Sequence, residues 1–147
     1  MKKISIIGLG YVGLPLLLQI AKKKKVIGFD TSKKRISQLL KGIDDYKEHS
    51  YQEIKKVKMN LTITNDSSEI KNSDLFIITV PTPIDKKNNP DLKFIIEATK
   101  KVSLSIKKNS IVVYESTVYP GCTEEICVPI IEKNSKLKFN KDFYCGY

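Results

Sequence analysis

Short apolar runs recur along the chain, separated by longer stretches in which apolar residues return with helical spacing. The apolar runs cover residues 3–7, 26–29, 61–64, 74–80 and 110–114. They are continuous rather than alternating, which is typical of strands buried on both faces of a parallel sheet. The pattern therefore predicts five strands.

Helical spacing fills the intervals between the predicted strands. It covers residues 12–22, 32–40, 90–106 and 123–134. Thr31 or Ser32 is expected to cap the second of these helices, and Gly42 to end it. Asn89 is expected to cap the third helix, with Pro90 in its first position.

The predicted helices carry apolar faces, whereas two further segments are polar. In the first helix, the residues at turn spacing are Val12, Leu16, Gln19, Ile20 and Lys23. The second helix should bury Ile36, Leu39 and Leu40. The third helix should bury Leu92, Ile95, Ile96, Thr99, Val102 and Ile106. Residues 44–58 are expected to be irregular and then helical, and residues 85–89 to form a loop.

Strands that alternate with helices predict an α/β fold, a Rossmann-like doubly wound and mostly parallel sheet with helices on both faces. With 147 residues, 41% of them hydrophobic, and no internal repeat, residues 1–147 are expected to form one domain. Ligands of such sheets bind at the carboxyl ends of the strands, where the strand order reverses. The residues directly after each strand are therefore the candidates for function.

The charge of the chain is strongly positive but favours no nucleic-acid partner. Lys and Arg number 26 against 16 Asp and Glu, a formal net charge of +10, and Arg35 is the one arginine. Arginine is the preferred residue for bidentate contacts to bases and phosphates. A lysine surplus spread along the chain indicates a solvated surface, which could still attract an anionic ligand.

Two other classes of function are also disfavoured. Cys122, Cys127 and Cys145 form no metal-binding pattern with each other or with His49, and an odd number of cysteines suits the reducing cytoplasm. Residues 4–21 are uncharged and flanked by lysines, so their length alone would permit a membrane helix or a signal peptide. Three glycines and Pro15 interrupt that run, and no cleavage pattern follows it. We therefore expect no membrane association.

The glycines in that run have the spacing of a dinucleotide-binding turn. Gly8 would permit the tight turn after the first strand, Gly10 would let backbone approach a pyrophosphate, and Gly13 would let helix and strand pack closely. The amino terminus of the following helix would hold the phosphate charge. Asp30, at the end of the second strand, would bind the ribose hydroxyls and repel a 2′-phosphate. This combination predicts that the chain binds NAD rather than NADP.

Two later strands also end in polar residues. The fourth is followed by Val80, Pro81 and Thr82, whose hydroxyl or backbone could meet the ribose or phosphate of the cofactor. The alternative is a plain strand-ending turn. After the fifth strand, Thr117 would lie near the nicotinamide and could position the ring or a water molecule. The alternative is that Thr117 caps the helix that follows.

Together these motifs resemble the UDP-glucose/GDP-mannose dehydrogenase family over essentially the whole chain. The matching stretches are residues 8–15 (GLGYVGLP), 28–30 with 35–36, 80–85 (VPTPID), 89–92 (NPDL) and 114–121 (YESTVYPG). The serine–threonine and VPTPID motifs look closest to the branch that acts on UDP-N-acetylhexosamines. Dehydrogenases of 3-hydroxyacids and of 6-phosphogluconate share the glycine turn but not these later motifs.

The resemblance implies oxidation of the C6 hydroxyl of a UDP-sugar, a UDP-N-acetylhexosamine or UDP-glucose, to a uronate with two NAD, supplying precursors of surface polysaccharides. It assigns NAD contacts to Val12, Asp30, Arg35, Thr82 and Thr117, with Tyr11, Val80 and Pro81 beside them in the same motifs. Thr117 would also help handle the catalytic water. Full-length members are homo-oligomers.

The sequence ends at residue 147, before several segments that the family contains. Family members continue there into a Ser-Pro-Glu segment, a central helix, a sugar-nucleotide domain and a nucleophilic cysteine. None of the three cysteines present has the glycine-rich context of that nucleophile. Two hypotheses follow: the chain is the NAD-binding part of a nucleotide-sugar dehydrogenase, truncated and inactive alone, or it is a stand-alone dinucleotide-binding module without catalysis.

Overall fold

A parallel sheet of six strands forms the centre of the computed structural model, which describes residues 2–84 and 90–147. The strands are β1 (Ile4–Ile7), β2 (Val26–Phe29), β3 (Leu61–Thr64), β4 (Leu75–Ile78), β5 (Ser110–Tyr114) and β6 (Phe143–Gly146). The helices are α1 (Gly13–Ala21), α2 (Lys33–Leu40), α3 (Tyr51–Lys56), α4 (Lys93–Ser103) and α5 (Val128–Ser135). A 3₁₀ turn, Lys58–Asn60, precedes β3, and a π-helical segment, Thr123–Cys127, leads into α5.

The strand order is β3-β2-β1-β4-β5-β6, and every neighbouring pair is parallel. The chain winds outward from β1 to β3, then returns to the other side of β1 to build β4, β5 and β6. In register, Ile7 lies between Phe29 of β2 and Ile78 of β4. The predicted doubly wound Rossmann-like fold is therefore confirmed, and the order reverses between β1 and β4.

Apolar clusters cover both faces of this sheet, as the continuous apolar strands predicted. Ile6 of β1 faces a cluster that includes Leu14 and Leu17 of α1. The next residue, Ile7, faces the opposite cluster, which includes Ile95 and Val102 of α4. The central strands β1 and β4 thus bury alternate side chains in two separate layers, whereas β3 and β6 each contribute apolar side chains to one layer. The carboxyl edge of the sheet, between these layers, carries the residues predicted to bind a ligand.

The predicted helix faces are correct for α4 and partly wrong for α1 and α2. On α4, Ile95, Thr99 and Val102 are fully buried. On α2, Leu40 is 61% exposed, because the helix ends there and the chain turns at Gly42, whose φ is +75°. On α1, Val12 is exposed; the buried face consists of Leu14, Leu17, Leu18 and Ala21.

One strand was not predicted, and the start of one helix was predicted too early. Strand β6 was not expected, since residues 143–146 form a short segment in which only Phe143 is fully buried. Helix α4 begins at Lys93 rather than Pro90, because Pro90 bridges Ile84 and the N–H of Asp91 donates to the Pro83 carbonyl at 2.7 Å. The predicted cap Asn89 and loop 85–89 lie outside the described residues.

Other local predictions agree with the structure. Ser32 caps α2 by accepting a hydrogen bond from the Arg35 N–H at 3.2 Å. The last helical stretch begins at Thr123 as predicted, but its first part is π-helical, and Pro129 lies in the first turn of α5 that follows it. A proline has no N–H for the α-helical ladder and crowds the carbonyl four residues earlier. Among the residues that the structure describes, no helix is long and apolar enough to cross a membrane.

Candidate dinucleotide-binding site

The glycine turn connects β1 to α1 in the way its spacing predicted. Gly8 has φ of +98°, a conformation that other residues rarely adopt, and its N–H donates to the Phe29 carbonyl at 2.8 Å. A Cβ on Gly13 would collide with the Gly8 carbonyl oxygen. A Cβ on Gly10 would meet no atom within 4 Å. Gly8 and Gly13 therefore serve the fold, whereas Gly10 borders open space where a ligand can approach the backbone.

Asp30 stabilises this turn directly. Its Oδ2 accepts a hydrogen bond from the Leu9 N–H at 2.8 Å, and its Oδ1 accepts one from the Ser32 N–H at 2.8 Å. Each carboxylate oxygen has a second lone pair available for another donor. Asp30 can thus hold the turn and accept ribose hydroxyls at the same time.

A cavity of about 380 Å³ lies along the carboxyl ends of β1, β2 and β4. The glycine turn, Asp30 and Arg35 form one side of it, and Val80 with Pro81 forms another. Phe94 of α4 contributes an apolar side chain. The cavity lies where the strand order reverses, which is the expected position for a ligand of this fold.

Arg35 is buried beside this cavity, with only 8% of its side chain exposed. Its Nε donates to the Leu9 carbonyl at 2.8 Å, and its Nη1 donates to Asp44 Oδ1 at 2.7 Å. Its Nη2 is buried and has no hydrogen-bond partner among the described residues. The predicted site residue therefore has a structural role at the turn, and one of its donor nitrogens is left without a partner among the described residues.

Two of the predicted site residues in the glycine motif are exposed. Tyr11 is 65% exposed and Val12 is 51% exposed. The Tyr11 ring stacks on Tyr46 with the ring centroids 4.1 Å apart, and the Arg35 guanidinium carbon lies 4.5 Å from the centroid of the same Tyr46 ring. Tyr46 therefore links the glycine turn to Arg35.

Thr82 and Thr117 meet where β4 and β5 end. The Thr82 hydroxyl donates to the Thr117 carbonyl at 2.7 Å, and the two hydroxyl oxygens are 2.9 Å apart. Nearby, the Ser116 hydroxyl donates to the Val80 carbonyl at 2.6 Å. Thr117 does not cap the following helix, which begins without a side-chain cap. The loop after β4 is therefore fastened to the loop after β5.

Sequence reasoning missed three residues that build this site. The Thr79 hydroxyl donates to the Gly8 carbonyl at 2.7 Å and thereby supports the turn from β4. Asp44 pairs with Arg35, and Tyr46 stacks on Tyr11. Thr79 lies at the end of the predicted fourth strand, so the rule that ligands bind at strand ends could have identified it. Asp44 and Tyr46 lie in the polar segment 44–58, in which no periodicity marks them.

The three cysteines are unsuited to nucleophilic chemistry in this structure. All are free thiols, and Cys122 and Cys127 are fully buried. Burial raises the pKa of Cys122 and Cys127, and raises that of Cys145 to about 12. A neutral thiol is a weak nucleophile. Within residues 2–84 and 90–147, no three potential metal-ligating side chains come together.

Comparison with known proteins decides the family of this chain. Residues 2–147 match the model of the UDP-glucose/GDP-mannose dehydrogenase family, NAD binding domain. The chain belongs to the UDP-glucose/GDP-mannose dehydrogenase family. Its cofactor is therefore NAD, as the glycine turn and Asp30 predicted. The match sets aside the alternative of a 3-hydroxyacid or 6-phosphogluconate dehydrogenase.

Relatives within the family agree with the branch suggested by the motifs. The chain is similar to UDP-N-acetyl-D-glucosamine 6-dehydrogenases of Salmonella typhi, with 50% identity over 145 residues, and of Pseudomonas aeruginosa, with 47% over 145. Both alignments cover 99% of this chain and 34% of the relative. A solved structure of UDP-D-ManNAc dehydrogenase from Pyrococcus horikoshii superposes with a TM-score of 0.90 at 30% identity, covering 97% of this chain and 35% of that one. The chain thus spans about a third of the length of these relatives.

Proposed function

We propose that residues 1–147 form one domain that holds NAD across the carboxyl edge of the sheet. The pyrophosphate lies on the glycine turn at Gly10, in the space that a side chain there would fill. Asp30 accepts the hydroxyls of the adenosine ribose through its remaining lone pairs. Arg35 contributes its available Nη2 at the same end, and Tyr11 and Val12 border the phosphates.

The nicotinamide end of the cofactor lies at the pair formed by Thr82 and Thr117. The single proton of the Thr82 hydroxyl goes to the Thr117 carbonyl, so the Thr117 hydroxyl must donate its own proton to Thr82. The oxygen of Thr117 is then left as an acceptor. Such an oxygen suits a donor group, either the carboxamide N–H of nicotinamide or a water molecule.

In the whole protein, this domain serves the oxidation of the C6 hydroxyl of a UDP-sugar to a uronate, with a UDP-N-acetylhexosamine as the favoured substrate. Bound NAD supplies the hydride acceptor. The residues of this chain bind and orient the cofactor, and Thr117 holds the catalytic water. The observation that carries this proposal is the glycine turn held by Asp30 at the cavity along the carboxyl ends of the strands. Thr82 and Thr117 follow β4 and β5 at the same ends of the strands but do not line that cavity.

The chain of 147 residues is expected to perform no oxidation alone. None of its three cysteines has the lowered pKa that an active nucleophile requires, because burial raises all three. Three unpaired thiols are also consistent with work in the reducing cytoplasm, which we include in the proposal. Homo-oligomerisation is proposed only for the whole protein.

Nuclear magnetic resonance titration of the ¹⁵N-labelled chain with NAD tests the site residue by residue. We expect shifts at the amides of Gly10, Asp30, Thr82 and Thr117. The amide resonance of Asn72, which lies in the turn before β4 at the amino ends of the strands, should not shift. Shifts confined to another surface would contradict the proposed site.

An enzymatic assay tests the second part of the proposal. The chain is mixed with NAD and UDP-N-acetylglucosamine, and the formation of NADH is followed by the absorbance of reduced nicotinamide. No NADH is expected. Turnover by residues 1–147 would show that a nucleophile outside this chain is not needed.

A further inference from the structure

Asp44 is a buried carboxylate in the segment between α2 and α3, and only 1% of its side chain is exposed. Its Oδ1 accepts hydrogen bonds from Arg35 Nη1 at 2.7 Å and from the Tyr46 N–H at 3.3 Å. Its Oδ2 accepts from the N–H groups of Glu48 at 3.0 Å and His49 at 3.1 Å. One side chain thus organises the backbone of residues 44–49, which we call the Asp44 segment.

The charge of Asp44 is stabilised despite its burial. Burial raises the pKa of this carboxyl, but the hydrogen bonds from Arg35 and from the Tyr46 and His49 N–H groups outweigh that effect and keep the pKa below its usual range. Asp44 and Arg35 therefore form a buried ion pair in which each neutralises the other. Removing one partner leaves an uncompensated charge beside the cavity.

Asp44 does not itself line the cavity, but two residues that it holds do. Arg35 and Tyr46 both line it. The Tyr46 ring contacts the Tyr11 ring of the glycine turn, with the centroids 4.1 Å apart, and the guanidinium of Arg35, whose Cζ lies 4.5 Å from the Tyr46 centroid. The geometry of these side chains depends on the backbone turn that Asp44 fixes.

Two of the three guanidinium nitrogens of Arg35 are already hydrogen-bonded within the protein. Nε is used on the Leu9 carbonyl and Nη1 on Asp44, so the plane of the guanidinium is fixed at two points. The remaining nitrogen, Nη2, is buried and has no partner among the described residues. A rigid planar group with one unused donor is preorganised for a ligand acceptor.

We infer that Asp44 is a positioning residue for the adenosine end of NAD, acting through Arg35 and Tyr46. The inference rests on the proposed contact of Arg35 with the cofactor. Asp44 fixes the donor direction of Arg35 and folds the Asp44 segment against the glycine turn, where Tyr46 closes one side of the cavity.

Calorimetric titration of Asp44→Asn with NAD and with ADP-ribose tests this role. We expect both affinities to fall by the same factor, about tenfold, the value of one hydrogen bond to a charged group. Thr117→Val, at the other end, should weaken NAD but leave ADP-ribose unchanged. Asp44→Asn binding ADP-ribose as tightly as the unaltered chain would overturn the inference.

Asp74→Asn is the matched control for a general loss of stability. Asp74 also forms an ion pair, with Lys107 at 2.7 Å, and accepts the Lys3 N–H at 2.7 Å. However, it lies at the amino ends of the strands, away from the proposed site. Its substitution should lower stability and leave both affinities unchanged. If Asp74→Asn weakens ADP-ribose as much as Asp44→Asn does, a positioning role is excluded.

A double-mutant cycle tests whether Asp44 acts through Arg35. In an Arg35→Met background, Asp44→Asn should cause a clearly smaller loss of ADP-ribose affinity, the part that acts through Tyr46. A full tenfold loss in that background would overturn the inference. If the unaltered chain fails to bind ADP-ribose, the proposed cofactor site itself is wrong, which is a separate result.

Hydrogen exchange provides a test that needs no variant and does not depend on Asp44→Asn folding. ADP-ribose at saturation should slow exchange of the Tyr46, Glu48 and His49 amides, the three that donate to Asp44. The amides of β6, at the far edge of the sheet, serve as the internal reference. Unchanged exchange at all three amides would contradict the inference.

Discussion

The hydroxyl oxygens of Thr82 and Thr117 lie 2.9 Å apart although 35 residues separate them in the chain. Parallel strands β4 and β5 bring the two loops together, because the carboxyl ends of neighbouring parallel strands share one edge of the sheet. The pair therefore fastens the loop after β4 to the loop after β5.

Substitution of Thr117 by valine keeps the shape of the side chain but removes its oxygen. We expect NAD affinity to fall about fivefold, the equivalent of one hydrogen bond of about 1 kcal/mol. Thr62→Val, on the exposed surface of β3, is the matched control and should bind NAD normally. Calorimetry on both variants checks this, and equal affinities would remove Thr117 from the site.

Alanine substitutions at Gly13 and Gly10 should have different effects, the first on stability and the second on NAD binding. Gly13→Ala is expected to lower the free energy of unfolding by about 2 kcal/mol, because its Cβ would collide with the Gly8 carbonyl. Gly10→Ala should be as stable as the parent chain, since its Cβ meets no protein atom, but should bind NAD at least about tenfold more weakly. Urea unfolding and NAD titration measure the two effects. Normal NAD binding by Gly10→Ala would show that the pyrophosphate lies elsewhere.

Most strands and helices could be predicted from the sequence, because a continuous apolar run such as 75–78 is typical of a strand buried on both faces. Strand β6 was missed since it adds only Phe143 to the fully buried core and pairs at the edge of the sheet. The glycine turn and Asp30 follow a local spacing rule. The ion pair of Arg35 with Asp44 follows none, because an irregular loop, and not a periodic element, sets the nine-residue separation.

The Asp44 ion pair should make stability depend on acidic pH. The pKa of Asp44 is lowered in the folded state, so its contribution is fully present above its ordinary value and is lost as pH falls through the folded value. The free energy of unfolding should therefore decrease from about pH 5 downward. Urea unfolding across this range should give a shallower decrease for Asp44→Asn. Identical slopes would show that Asp44 does not contribute.

The cysteines should be protected from thiol reagents. Burial raises the pKa of Cys122 and Cys127 and raises that of Cys145 to about 12, so little thiolate forms at neutral pH. A disulfide reagent should label the native chain slowly and label the urea-unfolded chain at all three thiols. Rapid labelling of one native cysteine would identify a reactive thiol and reopen the question of a nucleophile in this chain.

Asp30 should determine which dinucleotide is accepted. A 2′-phosphate on the adenosine ribose would lie against its carboxylate, which already accepts the Leu9 and Ser32 N–H groups and is held in place by them. Asp30→Asn keeps the size of the side chain and removes the charge. We expect this variant to bind NAD more weakly and to lose most of the discrimination against NADP.

Calorimetric titration of the unaltered chain with NAD and with NADP tests the central claim most directly. A site built on the glycine turn with Asp30 at the ribose predicts measurable binding of NAD and binding of NADP at least about tenfold weaker, a difference of about 1.4 kcal/mol. Equal affinities for the two dinucleotides, or no binding of NAD, would contradict it.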